Sequence, residues 1–214
     1  MGKEKSNAMI KRLLIAVVTF VLLWAALLHA QVPVVLVLGD SLSASFGIDV
    51  QQGWVNLLQK RLEREGYRYR IVNASISGDT TAGGVERLPR LMKIHQPAIV
   101  IVELGGNDGL RGLPLAEIQS NLSAMIEIAQ KQGAQVLLLG MRLPPNYGPD
   151  YTGRFYALYE ELGERYQIAR MPFLLQDVAG GELMQADGIH PRAEAQMVIL
   201  NNIWPYLKPA LRRG

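Results

Sequence analysis

Two short polar segments of the chain carry residues suited to nucleophilic catalysis. Ser41 directly follows the apolar run 34–38, in the sequence Gly39-Asp40-Ser41-Leu42-Ser43. A serine placed where a central strand turns into a helix exposes its hydroxyl at the open edge of a sheet. His190 has Asp187 three residues before it, where the carboxylate can accept the Nδ1 proton and leave Nε2 free as a base. Judged alone, the first segment could equally be a simple helix cap.

Two glycine-containing segments could supply donors for an oxyanion. Gly78 follows the run 70–74, and Asn107 follows the run 98–104 after two glycines. Glycine lets its backbone N–H approach a bound oxyanion closely, and the asparagine NH2 could point into the same crevice. The alternatives are an ordinary turn with a threonine N-cap and an asparagine in a left-handed turn. A phosphate-binding loop is excluded because no lysine follows the glycines at the required spacing.

Apolar strand-like runs alternate with helical patterns along the body of the chain. The runs are 34–38, 70–74, 98–104, 135–140 and a weaker one at 169–174. Between them, apolar residues recur every three or four positions, and a last helix is expected from Pro191 to about Leu207. This alternation predicts one α/β domain, a three-layer α/β/α sandwich with a central parallel sheet of about five strands. Ligands bind beyond the carboxyl ends of such strands, where the segments with Ser41, Gly78 and Asn107 fall, while Asp187 and His190 lie in a late loop before the last helix.

Composition excludes several classes of chemistry. The chain has no cysteine and three histidines, one of them His29 near the N-terminus. Thiolate catalysis and cysteine-ligated metals are therefore excluded, and we expect no metal and no cofactor. Of the 22 basic and 19 acidic residues, residues 31–214 hold 18 of each, so nucleic acid is not an expected partner.

The basic excess belongs to residues 1–30. A basic start precedes the apolar run Leu13–Leu28 and a small residue, Ala30, which is typical of a signal peptide. An uncleaved N-terminal anchor is the alternative, because a membrane span needs about 20 apolar residues. The expected domains are thus a leader at 1–30 and an exported, periplasmic domain at 31–214, or one anchored to the inner membrane. We expect a monomer, with membrane proximity through the leader or through lipid substrates.

Taken together, the polar segments resemble those of the GDSL, or SGNH, hydrolases. The similar stretches are LGDSLSA, VNASISGDT, VELGGNDGLRG and DGIHP, within a resemblance that spans about 34–207. The sequence is most similar to a subfamily of Gram-negative periplasmic enzymes that act as acyl-CoA thioesterases, proteases and lysophospholipases.

The resemblance implies a fold, an activity and a set of roles. The fold would be the SGNH-hydrolase, flavodoxin-like sandwich, and the activity would be hydrolysis of fatty-acyl esters and thioesters, including arylesterase activity. Ser41, Asp187 and His190 would form the triad, and Ser41, Gly78 and Asn107 the oxyanion hole. Leu110, Arg142 and Tyr147 are the expected substrate-binding residues, with a core role open for Tyr147. The alternatives are a carbohydrate or aryl acetylesterase and a membrane-tethered, non-catalytic binding domain.

Overall fold

The computed structural model describes residues 32–213. The expected leader at 1–30 lies outside the described residues and stays a prediction. Within 32–213, no helix combines the length and apolar character needed to cross a bilayer.

Five parallel strands form the central sheet, as the sequence predicts. They are β1 Val34–Gly39, β2 Arg70–Asn73, β3 Ile99–Glu103, β4 Gln135–Leu139 and β5 Ala169–Met171. Their order is β2-β1-β3-β4-β5, and every neighbouring pair is parallel. The order reverses around β1, so the crevice between β1 and β3 is the topological switch point of a doubly wound sheet.

Within residues 32–213, six α-helices flank this sheet. They are α1 Trp54–Arg64, α2 Thr81–His95, α3 Gly106–Leu110, α4 Leu115–Lys131, α5 Pro149–Tyr166 and α6 Gln196–Leu207. Helix α1 packs against α6, while α4 packs against both α2 and α5, so the helices form two layers. The three-layer α/β/α sandwich is therefore confirmed.

The core lies between the sheet and these helix layers. Every residue of β1 and β3 is buried, because helices cover both faces of a central parallel strand. The longer helices contribute apolar side chains to the core, such as Trp54, Leu58 and Leu62 on α1, which have no exposed surface. This packing fixes the carboxyl ends of β1 and β3 side by side, with Gly39 paired with Glu103.

No helix directly follows β1, contrary to the sequence prediction. Residues 40–47 form a turn, here called the serine turn, in which the Ala44 amide donates to the Asp40 carbonyl and the Phe46 amide to the Ser41 carbonyl. This helical turn does not continue as a helix, because the backbone of Ser45 is left-handed, with φ 63°. The α-helix that follows β1 along the chain begins only at Trp54.

The last helix also begins later than predicted. Pro191 pairs with Met184 in an antiparallel bridge, and the Gln185 amide donates to the His190 carbonyl at 2.7 Å. These contacts hold the backbone around His190 in an extended hairpin, so the expected proline-initiated helix is wrong. A short 3-10 turn at Ala193–Ala195 leads into α6 at Gln196.

Candidate active site

The carboxyl edge of the sheet gathers the polar segments that the sequence singled out. Ser41 lies in the serine turn after β1, Gly78 in the loop after β2, and Asn107 in α3 after β3. These three strands are neighbours in the sheet, and parallel strands end at the same edge. His190 and Asp187 reach this edge from the hairpin that precedes α6.

Ser41, His190 and Asp187 form a continuous hydrogen-bonded chain. His190 Nε2 lies 2.9 Å from Ser41 Oγ, and His190 Nδ1 lies 2.7 Å from Asp187 Oδ2. Asp187 Oδ1 accepts two backbone N–H bonds, from Ile189 at 2.9 Å and from His190 at 3.0 Å. In this arrangement an imidazole can take the serine proton while the carboxylate fixes its tautomer.

The carboxylate of Asp187 is suited to that task because it stays ionised. The backbone N–H of His190, the imidazole of the same residue and the Ile189 amide lower the pKa of Asp187 to about 2. The ionised form is the one that accepts these bonds, so they favour it over the protonated acid. Asp187 therefore remains a carboxylate well into the acid range.

Two backbone amides near Ser41 are available as donors. Within residues 32–213, the amides of Ser41 and Gly78 have no hydrogen-bond acceptor. Gly78 has φ +80°, and a Cβ there would meet nothing within 4 Å. The left-handed backbone, rather than crowding, is therefore what requires glycine at this position.

Asn107 reaches the same edge, but its amide is already engaged. Its Nδ2 donates to Asp40 Oδ2 at 3.0 Å and to the Asp79 carbonyl at 2.9 Å. An NH2 group carries two hydrogens, and both have acceptors here. Donation from Asn107 to a reacting oxyanion would therefore share or replace one of these bonds.

Two arginines brace the loop that carries Gly78. Arg87, on α2, pairs with Asp79 at 2.8 Å through Nε and also donates to the Ala74 carbonyl. Arg111 donates to the carbonyl of Gly78 at 3.1 Å. Sequence analysis missed both arginines, because these contacts depend on how the loop after β2 folds over the ends of β1 and β3.

An apolar cavity opens beside the serine turn. It has a volume of about 410 Å³, and its lining includes Leu42 next to Ser41 and Ile189 next to His190. The remaining apolar lining includes Leu110, Met141, Leu143, Phe173, Leu175 and Met184. A cavity of this size and character can receive a small apolar group, and its lining includes sequence neighbours of Ser41 and His190.

The three expected substrate-binding residues have different positions. Leu110 and Arg142 line the cavity, and the Arg142 guanidinium lies 4.1 Å from the centroid of the Tyr156 ring. Tyr147 lies outside the lining, and its hydroxyl donates to the Leu110 carbonyl at 2.8 Å. A substrate contact by Tyr147 stays a prediction, and the structure adds that this side chain supports Leu110.

Within residues 32–213, no cluster of three or more histidine or acidic side chains is placed to hold a metal ion.

Comparison of the chain with models of protein families gives one match that spans this site. The model of the GDSL-like lipase/acylhydrolase family matches residues 37–198, a stretch that includes the serine turn, Gly78, Asn107 and the hairpin with Asp187 and His190. The chain belongs to the GDSL-like lipase/acylhydrolase family. As a member of this family it is an ester hydrolase, so the alternative of a non-catalytic binding domain is wrong.

The chain is also similar to proteins that are named as an esterase and a thioesterase. Esterase TesA of Pseudomonas aeruginosa is 55% identical over 184 residues, which cover 86% of this chain and 92% of that protein. Thioesterase 1/protease 1/lysophospholipase L1 of Escherichia coli K12 is 40% identical over 181 residues, covering 84% of this chain and 86% of that protein. A crystal structure of TesA, 56% identical, superposes with a TM-score of 0.82 and covers 83% of this chain and 99% of its own.

The sequence analysis did not assign two buried acidic residues, Glu103 and Asp40, to the candidate active site. Glu103, the last residue of β3, accepts from the Asp40 amide at 3.2 Å and from Ser43 Oγ at 2.6 Å. Asp40, taken from sequence only as a possible helix cap, accepts from the Leu42 amide at 3.0 Å. The available signal was a lone acid at the end of the apolar run 98–104, where a buried carboxyl group requires partners.

Proposed function

We propose that this chain is a serine hydrolase that cleaves fatty-acyl esters and thioesters through an acyl-enzyme. The observation that carries the proposal is the chain of contacts from Ser41 through His190 to Asp187, with an apolar cavity nearby that is lined by Leu42 and Ile189. The position of a nucleophile, an oriented base and an acyl-sized cavity at one point supports acyl transfer.

The proposed reaction begins with attack by Ser41 Oγ on the carbonyl carbon of the substrate. His190 Nε2 takes the hydroxyl proton, and the Asp187 carboxylate stabilises the imidazolium that forms. His190 then returns the proton to the departing alcohol or thiol. Water, deprotonated by the same imidazole, attacks the acyl-enzyme and releases the acid and free Ser41.

The negative charge on the carbonyl oxygen would be met by three donors. The amides of Ser41 and Gly78 are free to donate in the structure. Asn107 would add a third bond by sharing a hydrogen now held by Asp40 or by the Asp79 carbonyl. Donors held in place before the reaction stabilise the transition state without reorganising at that moment.

The acyl chain would occupy the apolar cavity. Leu110 and Arg142 would line it, Arg142 with its guanidinium held over Tyr156 and its stem toward the chain. Each methylene buried contributes about 0.8 kcal/mol, which is about fourfold in kcat/KM while the cavity still has room. This argument favours fatty-acyl substrates over acetyl esters.

Thioester and lysophospholipid cleavage, and location in the periplasm, belong to the same proposal. The Escherichia coli relative is named a thioesterase, protease and lysophospholipase, and it is 40% identical to this chain over 181 residues. The basic and apolar pattern of residues 1–30 is the sequence support for export.

The deciding experiment is hydrolysis of p-nitrophenyl esters from C2 to C16, and of matching acyl-CoA thioesters, by the full chain. Ser41→Ala is the control that removes the nucleophile. We expect kcat/KM to rise with chain length over the first several methylenes and to vanish in Ser41→Ala. A rate that falls sharply beyond C2 would support the acetylesterase alternative, and undiminished turnover by Ser41→Ala would refute the mechanism.

A further inference from the structure

Glu103 is an acidic residue buried at the end of a central strand, without a cation against it. Its exposed fraction is 0%, and it follows four buried apolar residues of β3. Oε2 accepts both of the bonds made to this side chain, whereas buried Oε1 has no partner among the described residues. An ionised carboxylate in such a place is costly, so a buried oxygen of this kind calls for a physical explanation.

The two bonds to Oε2 both come from the serine turn. The Asp40 amide and the Ser43 hydroxyl lie immediately before and two residues after Ser41. The strand register places Gly39 beside Glu103, and a Cβ on Gly39 would lie 2.6 Å from Oε2, so only glycine admits the carboxyl group here. Glu103 thus anchors the backbone on both sides of the nucleophile.

Asp40 extends the contact from the serine turn to Asn107. One of its oxygens accepts from the Leu42 amide and the other from Asn107 Nδ2, both at 3.0 Å. A single buried network therefore joins Glu103, Asp40 and Asn107. Through it, the turn after β1 and the helix after β3 hold each other in place.

The charges around this network indicate which carboxyl group carries a proton. Burial raises the pKa of Glu103 well above 4.5, and the nearby charge of Asp40 raises it further. Burial raises the pKa of Asp40 to about 6, opposed by the Leu42 amide and by the charge of His190. Both shifts disfavour two negative charges in this buried pair, and the more deeply buried Glu103 is the favoured site for a retained proton.

The other groups facing the pair do not supply a compensating charge to Glu103. Asp79 adds negative charge near Asp40, and its own partner is Arg87, which donates to the Gly39 carbonyl at 3.4 Å. Tyr159, fully buried near both acids, donates its hydroxyl to the Leu104 carbonyl and stays neutral because burial raises its pKa.

We infer that Glu103 is a positioning residue that acts, as a neutral carboxylic acid, on Asp40 and Ser43. Through Asp40 it also fixes the side chain of Asn107. The inference rests on the proposed roles of Ser41 and Asn107. It adds that a protonated, fully buried acid holds the serine turn in position without contacting the substrate.

Kinetics of two substitutions in the full chain test the positioning role. Glu103→Gln keeps a neutral side chain whose amide oxygen can accept from Asp40 and Ser43, and we expect kcat to fall by no more than about threefold. Glu103→Leu removes the acceptor, and we expect kcat to fall by about ten- to a hundredfold with KM within about twofold, because misplacement of reacting groups acts on the chemical step. A Glu103→Leu enzyme with full kcat, or a Glu103→Gln enzyme as slow as Glu103→Leu, would overturn the inference.

Infrared spectroscopy tests the protonation state without reference to activity. At pH 7 the native chain should show the C=O stretch of a protonated carboxyl group, which disappears in Glu103→Gln and persists in the control Glu182→Gln, an exposed position. Absence of the band in the native chain would overturn the inference even if Glu103→Leu does not fold. Activity that survives in Ser41→Ala would instead refute the proposed function, while the band would still report on Glu103.

Discussion

The ring of Phe46 lies over the imidazole of His190, with the ring centroids 4.3 Å apart and the planes tilted by 34°. Phe46 lies near the end of the serine turn, and 49% of its surface is exposed. Gln185 ties this part of the turn to the hairpin, donating to the Phe46 carbonyl at 2.9 Å and to the Pro191 carbonyl at 3.0 Å. The imidazole of His190 therefore packs against the ring of Phe46 and is hydrogen-bonded through Nδ1 to the ionised carboxylate of Asp187.

Removing the ring of Phe46 should lower kcat/KM moderately. Aromatic pairs contribute about 0.5 to 1.5 kcal/mol, so we expect Phe46→Ala to lower kcat/KM by about two- to tenfold. Ile94→Ala, which trims an equally exposed apolar residue at the end of α2, is the matched control. Steady-state kinetics on one medium-chain ester would check this, and equal rates for Phe46→Ala and the control would contradict it.

Asp187→Asn should preserve the fold but remove most of the activity. The amide can still accept from the backbone, but it no longer stabilises the imidazolium or enforces the tautomer with Nε2 free. The expected loss in kcat is up to about ten-thousandfold. The control is Asp177→Asn, an exposed aspartate outside the site. Circular dichroism would verify folding, and a loss of less than about tenfold would argue against a triad.

Asn107→Ala should show whether the engaged amide also serves the reaction. Loss of one oxyanion donor costs about 2.7 to 4 kcal/mol of barrier, or about a hundred- to a thousandfold in kcat. Asn56→Ala removes a comparable amide, one on α1 that donates to the exposed Val50 carbonyl at 3.3 Å, and should be nearly neutral. If kcat of Asn107→Ala stays within about fivefold of the native value, the amide serves only to bond Asp40 and Asp79.

The stability of the native chain should decrease between about pH 4.5 and 7 because of the buried acids. The raised pKa values of Glu103 and Asp40 mean that the folded chain keeps protons that the unfolded chain has released. The stabilisation is complete below the unfolded pKa and is lost as the pH rises through the folded values, at most about 1.4 kcal/mol per pH unit for each proton. Asp187 behaves oppositely: because its pKa is lowered to about 2, its stabilisation is present above about pH 4 and is lost as the pH falls toward 2.

Glu103→Gln should flatten this pH dependence. The substitution removes one of the two titrating acids, the one whose pKa burial raises well above 4.5, so the folded chain retains one proton fewer. Urea unfolding at several pH values between 4.5 and 7.5, in the native chain and in Glu103→Gln, measures the difference. Parallel curves for the two proteins would show that Glu103 does not retain a proton on folding.

The structure confirms much of what the local sequence pattern predicted. Continuous runs such as 34–38 become central strands, because only a strand covered by helices on both faces tolerates apolar residues at every position. Helix α1 forms where the spacing of Trp54, Leu58 and Leu62 predicts a helix, because this spacing puts the three apolar side chains on one buried face. Helix starts were less secure, since Pro191 suits a first helical turn but serves here in the bridge with Met184.

The sequence by itself determined the sandwich, the residue types that could react and the edge of the sheet where they lie. Strand and helix periodicity, and the spacing of Asp187 and His190, are local properties that a linear chain displays. Only the tertiary structure decided that Ser41 meets His190 across 149 residues, that Asn107 is bonded to Asp40, and that Glu103 holds the serine turn from 63 residues away. Such contacts depend on strand register and helix packing, which bring distant segments within hydrogen-bonding distance and remove them from water.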